Sequence, residues 1–331
     1  MKHINVSVFV PHAGCPHQCS FCNQRSISGA KSQPTAQDVR DAALIAMRSS
    51  PEGIKDGEIA FFGGSFTAID RDYMIELLSS AQEFIGENGF KGIRISTRPD
   101  AVDGEICDIL EKYHVTAVEL GAQSTNDKVL AMNRRGHTRE DIFRSARLLK
   151  ERGFELGLQM MTGLYGSNDE DSIGTARDII SLSPDTARIY PTVVIENTEL
   201  AELYRNGEYR PQTPEEAAKI LPMFERAGIK VIRLGLHSGG DVEGSFVAGA
   251  YHPALREMCE GHIYFDIINR ALSGKEKGKY IIYVAPREVS KASGQRRCNI
   301  EKLRELGYEC RIKENAALSA RDITLEKVNL L

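Results

Sequence analysis

The chain has 331 residues, 41% hydrophobic and 27% charged, with a formal net charge of −4. That apolar content supports a sizeable core and excludes a wholly disordered chain, and no apolar run reaches the roughly 18 residues a membrane span needs. Seven cysteines in a chain with no recognisable signal peptide point to a reducing cytoplasm and against a disulfide scaffold.

Short β-branched runs predict strands over 4–10, 58–62, 92–97, 117–121, 155–161, 186–190 and 230–234. Between them lie amphipathic stretches near 35–50, 70–86, 103–113, 138–152, 169–182 and 213–227, with Asp70, Asp103 and Thr213 at expected N-cap positions. Strands alternating with helices of this length give an α/β chain with a mostly parallel sheet, whose ligand loops lie at the strand C-terminal ends. Six or seven such units are too many for a small open sheet and slightly few for a closed eight-unit barrel. A partial or full barrel is expected.

After about Leu236 the texture becomes Gly- and Ser-rich, followed by a helix over 254–273, a strand over 279–285, a helix over 299–306 and a strand over 308–313. We therefore expect two domains, a barrel over 1–235 and a small β-α-β appendage over 236–331. The stretch 274–313 carries 11 Lys/Arg against 5 Asp/Glu, which leaves 31 against 41 for the remainder. A basic face on an acidic protein attracts a polyanion, and an ordinary solvated helix face accounts for the same charges equally well.

The sharpest motif is Cys15-Pro-His-Gln-Cys19-Ser-Phe-Cys22, directly after the first strand. Three thiolates at this spacing can hold three corners of one iron–sulfur cube and leave the fourth iron open to a ligand. Zinc held by the same cysteines, with His12 or His17 as a fourth ligand, is the alternative, and it would make this a non-catalytic protein. Cys107 reads as a buried small hydrophobe, while Cys259, Cys298 and Cys310 are scattered without ligand spacing.

CxxxCxxC with an aromatic before its last cysteine, after the first strand of a barrel-like chain, resembles the radical S-adenosylmethionine superfamily. The resemblance implies an open, TIM-like (β/α)6 partial barrel and a 4Fe-4S cluster on Cys15, Cys19 and Cys22. It also implies S-adenosyl-L-methionine, cleaved to a 5′-deoxyadenosyl radical, and a one-electron reductant such as ferredoxin or flavodoxin. Phe61-Phe62-Gly63-Gly64-Ser65-Phe66 matches the superfamily glycine pair after the second strand. In Glu119-Leu120-Gly121-Ala122-Gln123-Ser124, Gln123 would contact the ribose or methionyl part. Arg135 would pair with the cofactor carboxylate, with Arg134 as the alternative, and Gln159 would face the adenosine.

Within the superfamily the resemblance is closest to the catalytic subunit of Elongator. It rests on Phe62–Phe66, Thr97-Arg98-Pro99-Asp100, Asn133-Arg134-Arg135-Gly136-His137-Thr138, and Ile189–Ile195 running on to Leu203–Tyr209, and it covers roughly residues 5–235. It implies tRNA modification, with RNA held by the basic stretch through Lys291, Arg296 and Arg297. Ser96 stands where relatives often carry glutamate. The roughly 95 residues after the barrel are too few for a typical acetyl-CoA domain and carry no G-x-G-x-x-G-like loop, so no acetyltransferase half is expected. A radical reaction on a small molecule, as in anaerobic coproporphyrinogen dehydrogenases, is the alternative.

Overall fold

The computed structural model describes residues 4–11, 15, 19–23, 32–50, 54–236 and 244–328. Two compact units form, Met1–Gln212 with Met223–Gly249, and Thr213–Pro222 with Ala250–Leu331.

The first unit is built on seven strands: β1 (Asn5–Val10), β2 (Glu58–Gly63), β3 (Gly92–Thr97), β4 (Val115–Gln123), β5 (Glu155–Thr162), β6 (Thr186–Pro191) and β8 (Lys230–Leu234). All pair in parallel, in the order β1-β2-β3-β4-β5-β6-β8. Sheet neighbours are thus chain neighbours, apart from the short strand β7 (Val193–Ile195), which lies between β6 and β8 in the chain and belongs to another sheet. This is the order of a singly wound barrel, and the strands curl into a half-barrel.

Helices α1 (Ala36–Ser49), α2 (Arg71–Gln82), α3 (Gly104–Lys112), α4 (Asp127–Met132), α5 (Arg139–Glu151), α6 (Asp169–Ser181) and α7 (Glu199–Arg205) complete this unit's main crossovers. Their starts follow from local chemistry. Thr35, Thr138 and Asn168 each form a reciprocal capping box with an aspartate three residues on, and Asp70 and Asp103 cap α2 and α3.

Each strand alternates between two environments. Ile59 and Phe61, Ile93 and Ile95, Val118 and Leu120, and Leu156 and Leu158 are buried as an apolar layer. Among the intervening positions Glu58, Arg94, Glu119, Glu155 and Gln159 are polar and bind across strands. Arg94 Nε donates to Glu58 at 2.6 Å, Nη2 to Glu155 at 2.7 Å and Nη1 to Glu119 at 3.5 Å. Arg188 Nη2 and Gln159 Nε2 donate to the two Glu119 oxygens at 2.6 and 2.8 Å. A buried charge network of this kind needs every member satisfied.

The predicted helix over 213–227 is two pieces, α8 (Pro214–Ala217) and α9 (Leu221–Arg226). Pro222 is the reason: it has no N–H to donate, and its ring clashes with the carbonyl one turn back. The boundary between the units also falls here, between Pro222 and Met223 inside α9. The stretch after residue 236 divides as well. Strand β9 (Phe246–Gly249) pairs antiparallel with β7 (Val193–Ile195), which places it in the first unit.

In the second unit α10 (Leu255–Leu272), α11 (Val289–Ser293) and α12 (Cys298–Glu305) accompany a sheet of β11 (Tyr308–Glu314), β10 (Gly278–Val284) and β12 (Ile323–Lys327). Its core includes Tyr264, Ile268, Leu272, Ile282, Val284 and Leu303. Strands β10 and β11 pair in parallel as the β-α-β reading requires, and antiparallel β12 was not foreseen. Among the described residues no helix is long and apolar enough to cross a membrane.

Candidate active site

The cysteine segment is held from both sides by residues far along the chain. Ser20 donates through Oγ to Asn133 Oδ1 at 2.9 Å and through its backbone N–H to the Asn133 carbonyl at 3.3 Å, and its own carbonyl accepts from Leu200. Asn133 is fixed in turn by donating to the Val129 and Tyr165 carbonyls at 2.8 and 2.9 Å. Phe21 packs against a cluster of Val194, Leu200 and Tyr209, as does Tyr165. The aromatic before the last cysteine is therefore a peg in an apolar socket. Tyr165 lies edge-on to Tyr209 in that socket, a packing role.

Cys15 is exposed, and Cys19 and Cys22 are half-buried. The Cys22 N–H donates to the Cys19 carbonyl at 3.0 Å, which tightens the turn between them. Surrounding protein, then the neighbouring Cys19, push the Cys15 thiol above its ordinary pKa, while Arg98 and Arg135 act in the opposite direction. Arg135 Nη1 donates to Cys19 Sγ at 3.2 Å and Nη2 to the Gly121 carbonyl at 2.8 Å. Arg134 turns away and pairs with Glu199 at 2.7 Å on the surface. Of the two adjacent arginines, the one brought to the cysteines is Arg135.

The glycine pair closes the ends of β1 and β2 together. Gly63 has φ +115°, and a Cβ there would lie 2.9 Å from the Val10 carbonyl oxygen, while the Gly64 N–H donates to that oxygen at 2.8 Å. Backbone on both sides leaves no flexible atom to yield. Gly63→Ala is expected to destabilise the protein by about 1–3 kcal/mol, measurable as a lower urea midpoint at unchanged slope.

Two other motif segments join through hydroxyls. Thr97 Oγ1 lies 2.9 Å from Ser65 Oγ and 2.6 Å from Thr67 Oγ1, and the Arg98 N–H donates to Ser65 Oγ at 3.1 Å. Arg98 then grips Asp100 with two bonds of 3.0 Å. The GGSF and TRPD segments are thus one buried assembly.

Gln123 sits at a β-bulge between Gly121 and Gln123, with φ 63°. A Cβ on Gly121 would approach the Gln123 amide nitrogen to 2.9 Å, so this glycine gives the glutamine its room. Gln123 Oε1 and Arg135 Nε are buried without a partner among the described residues. Gln159 is engaged with Glu119 and, at 3.4 Å, with Ser96 Oγ. Glu119 is the residue that motif reading passed over. It joins Arg94, Arg188 and Gln159, and the one available signal was charged residues recurring inside otherwise apolar strands. Arg188 also stacks on Phe62 at 5.2 Å and reaches the Tyr190 hydroxyl at 3.4 Å.

His137 is buried, with Nε2 3.0 Å from the Ala122 carbonyl, so Nε2 carries the proton and donates. Burial, then the Arg135 charge, lower its pKa from 6.5 to about 4. The native state thus resists a proton that the unfolded chain accepts. Stability is full above pH 6.5 and falls as pH drops towards 4, by about 3 kcal/mol in all. His137→Gln, whose amide can still donate, is expected to flatten this slope in urea titrations between pH 7 and 4.5.

In the second unit Lys291 is bound to Glu260 at 2.6 Å and Glu288 at 2.8 Å, which removes it from the set of available cations. Arg296 and Arg297 are exposed. His12 and His17, the candidate zinc ligands, lie outside the described residues. Among the described residues no three Cys, His, Asp or Glu side chains are arranged to hold a metal ion.

Cys19 and Cys22 on either side of the anchored Ser20, two guanidiniums acting on Cys15 and unpartnered polar atoms on Gln123 and Arg135 suit an anionic sulfur-ligated cluster with a charged, polar co-ligand. On a singly wound partial barrel, with these groups at the strand C-terminal ends, they define an enzyme of the cluster-dependent radical class. The radical SAM superfamily model matches residues 9–179, over half of the chain, and a radical SAM C-terminal domain model matches 184–264. The chain belongs to the radical SAM superfamily, and the cofactors of its chemistry are a 4Fe-4S cluster and S-adenosylmethionine.

Among curated proteins it is 28% identical over 255 residues to the tRNA uridine(34) acetyltransferase of Methanocaldococcus infernus, covering 65% of this chain and 48% of that one. It is 30% identical over 191 residues to Elongator complex protein 3 of Homo sapiens, covering 50% and 34%. The chain therefore spans half or less of the length of these relatives. The solved archaeal Methanocaldococcus infernus Elp3 with an N-terminus deletion has the same fold, with TM-score 0.62 at 23% identity, covering 81% of this chain and 63% of that one.

Proposed function

We propose that Cys15, Cys19 and Cys22 hold the 4Fe-4S cluster, that Gly63, Gly64, Gln123, Arg135 and Gln159 position S-adenosylmethionine, and that the substrate is an RNA, a tRNA uridine in particular. When bound, these cofactors supply a one-electron reductive cleavage that yields a 5′-deoxyadenosyl radical able to abstract hydrogen. The Arg135–Cys19 contact carries this reading. A guanidinium donating to a cysteine sulfur brings a positive charge to the place where a sulfur-ligated anionic cluster would sit. The same guanidinium keeps Nε free, and Gln123 keeps an unpartnered oxygen to accept from a cofactor ammonium or hydroxyl. The glycine pair lets backbone approach a ligand where a Cβ would block it. Asn133 and Leu200, by gripping Ser20, hold the backbone between Cys19 and Cys22.

The RNA assignment is supported by the names of the relatives and by a second unit richer in basic side chains than the first. Such a substrate places the reaction in the cytoplasm, with a low-potential one-electron donor. Oxygen-free protein reconstituted with iron and sulfide is expected to bind about four irons per chain and to release 5′-deoxyadenosine with dithionite. Stoichiometric zinc without iron overturns the cluster assignment. Mass spectrometry of nucleosides from gene-deleted cells should lack one modified uridine, restored by the wild-type gene. An unchanged tRNA nucleoside profile overturns the RNA assignment.

A further inference from the structure

We infer that the second unit carries a binding groove for the phosphates of an RNA backbone. A cavity of about 630 Å³ opens where α12, β10 and β11 meet. Its rim brings together Lys279, Arg297, Arg304 and Arg311, with Glu309 as the one carboxylate. Lys279 lies 3.6 Å from Glu309, and the three arginines have no carboxylate partner among the described residues.

Their grouping in one hollow is the informative feature, since arginines without a carboxylate partner among the described residues also occur in the first unit. Like charges left together in one hollow repel each other, and an anion seated there relieves that repulsion. Arg297 is the left-handed residue that precedes α12 and Arg304 lies in that helix's last turn, so they stand at opposite ends of the helix and address separate phosphates. Ile281 and Ile300 line the cavity between the charges and give an apolar surface for ribose. A row of cations over a small apolar floor fits a sugar–phosphate chain better than a single compact anion.

The inference rests on the RNA reading above and refines it, since it replaces Lys291 by Lys279, Arg304 and Arg311 beside Arg297. The test measures binding of the intact protein to bulk tRNA by filter retention across a salt series. Arg304→Glu with Arg311→Glu is compared with Arg270→Glu and Lys275→Glu, a charge-matched reversal elsewhere in the same unit. All four positions are exposed, and thermal melting checks the fold of both variants. Pyrophosphate is tested separately for raising the melting temperature.

The groove variant is expected to bind tRNA at least about tenfold more weakly, with a salt slope shallower by roughly 1.5–2, while cofactor cleavage without RNA is unchanged and the control stays near wild type. Equal losses in the two variants overturn the groove and leave the RNA reading intact. If wild-type protein fails to retain tRNA, yet pyrophosphate stabilises it and not the groove variant, the ligand is a small phosphate compound and the RNA backbone is overturned. If neither ligand binds, the groove and the RNA reading both fail.

Discussion

Cys19→Ala, reconstituted without oxygen, is expected to retain less than about a tenth of the wild-type iron and to cleave S-adenosylmethionine at least about 100-fold more slowly. A cube offered two protein sulfurs has lost one of its three anchors, and cluster retention depends on all of them. Cys19 is the most informative of the three, because Arg135 donates to its sulfur and Ser20, next in the chain, is clamped by Asn133. On the proposed assignment its loss removes a ligand beside the Ser20 clamp. Cys107→Ala is the matched control. Cys107 is buried in α3, and burial pushes its thiol pKa up, so it is an inert packing group. Iron and sulfide analysis with chromatographic measurement of 5′-deoxyadenosine separates the outcomes. Cleavage by Cys19→Ala at the wild-type rate would falsify the ligand assignment.

Arg94→Met is expected to cost about 3–5 kcal/mol of stability, the largest loss from a single side chain outside the cysteine loop. Arg94 is buried at 3% exposure and neutralises Glu58 and Glu119, buried at 0% and 1%. Methionine fills similar space and takes the guanidinium away from the fully buried Glu58, while Glu119 keeps Arg188 at 2.6 Å. The mechanism is the uncompensated charge rather than a missing attraction, which makes the prediction separable. Arg94→Met with Glu58→Met should be more stable than Arg94→Met alone, because it removes the stranded charge. Urea unfolding of the single and double variants reads this directly, and a double variant at least as damaged as the sum of the single changes would refute the account. Because Glu119 also holds Arg188 and Gln159, the Arg94 substitution should loosen these two side chains too.

Much of this molecule is local and could be read from residue order. Seven strands, the capping residues Asp70, Asp103 and Thr213, and the cysteine spacing all depend on neighbours within about four positions. A periodicity of two or 3.6 with an Asx or Thr start specifies them. The parallel order followed from the alternation of strand and helix, which admits few topologies. The single helix expected over 213–227 failed on a local rule as well, since Pro222 interrupts it and the amphipathic pattern concealed that.

What residue order left open was settled by contacts between distant positions. Arg134 and Arg135 are equivalent as neighbours in sequence, and only the turn that sends one to Glu199 and the other to Cys19, 116 residues away, tells them apart. Gln123 sits at a bulge where Gly121, having no Cβ, leaves room for its amide, and Glu119 acquires its role only when Arg94, Arg188 and Gln159 arrive from three other strands. The opening charge of −4 resolves in the same way. Chain order places a basic stretch near the end, but folding pairs Lys291 with two glutamates and gathers Lys279, Arg297, Arg304 and Arg311 around one cavity. Spacing along the chain carries the periodicity of helices and strands. It carries no record of which charges meet once the strands are laid side by side.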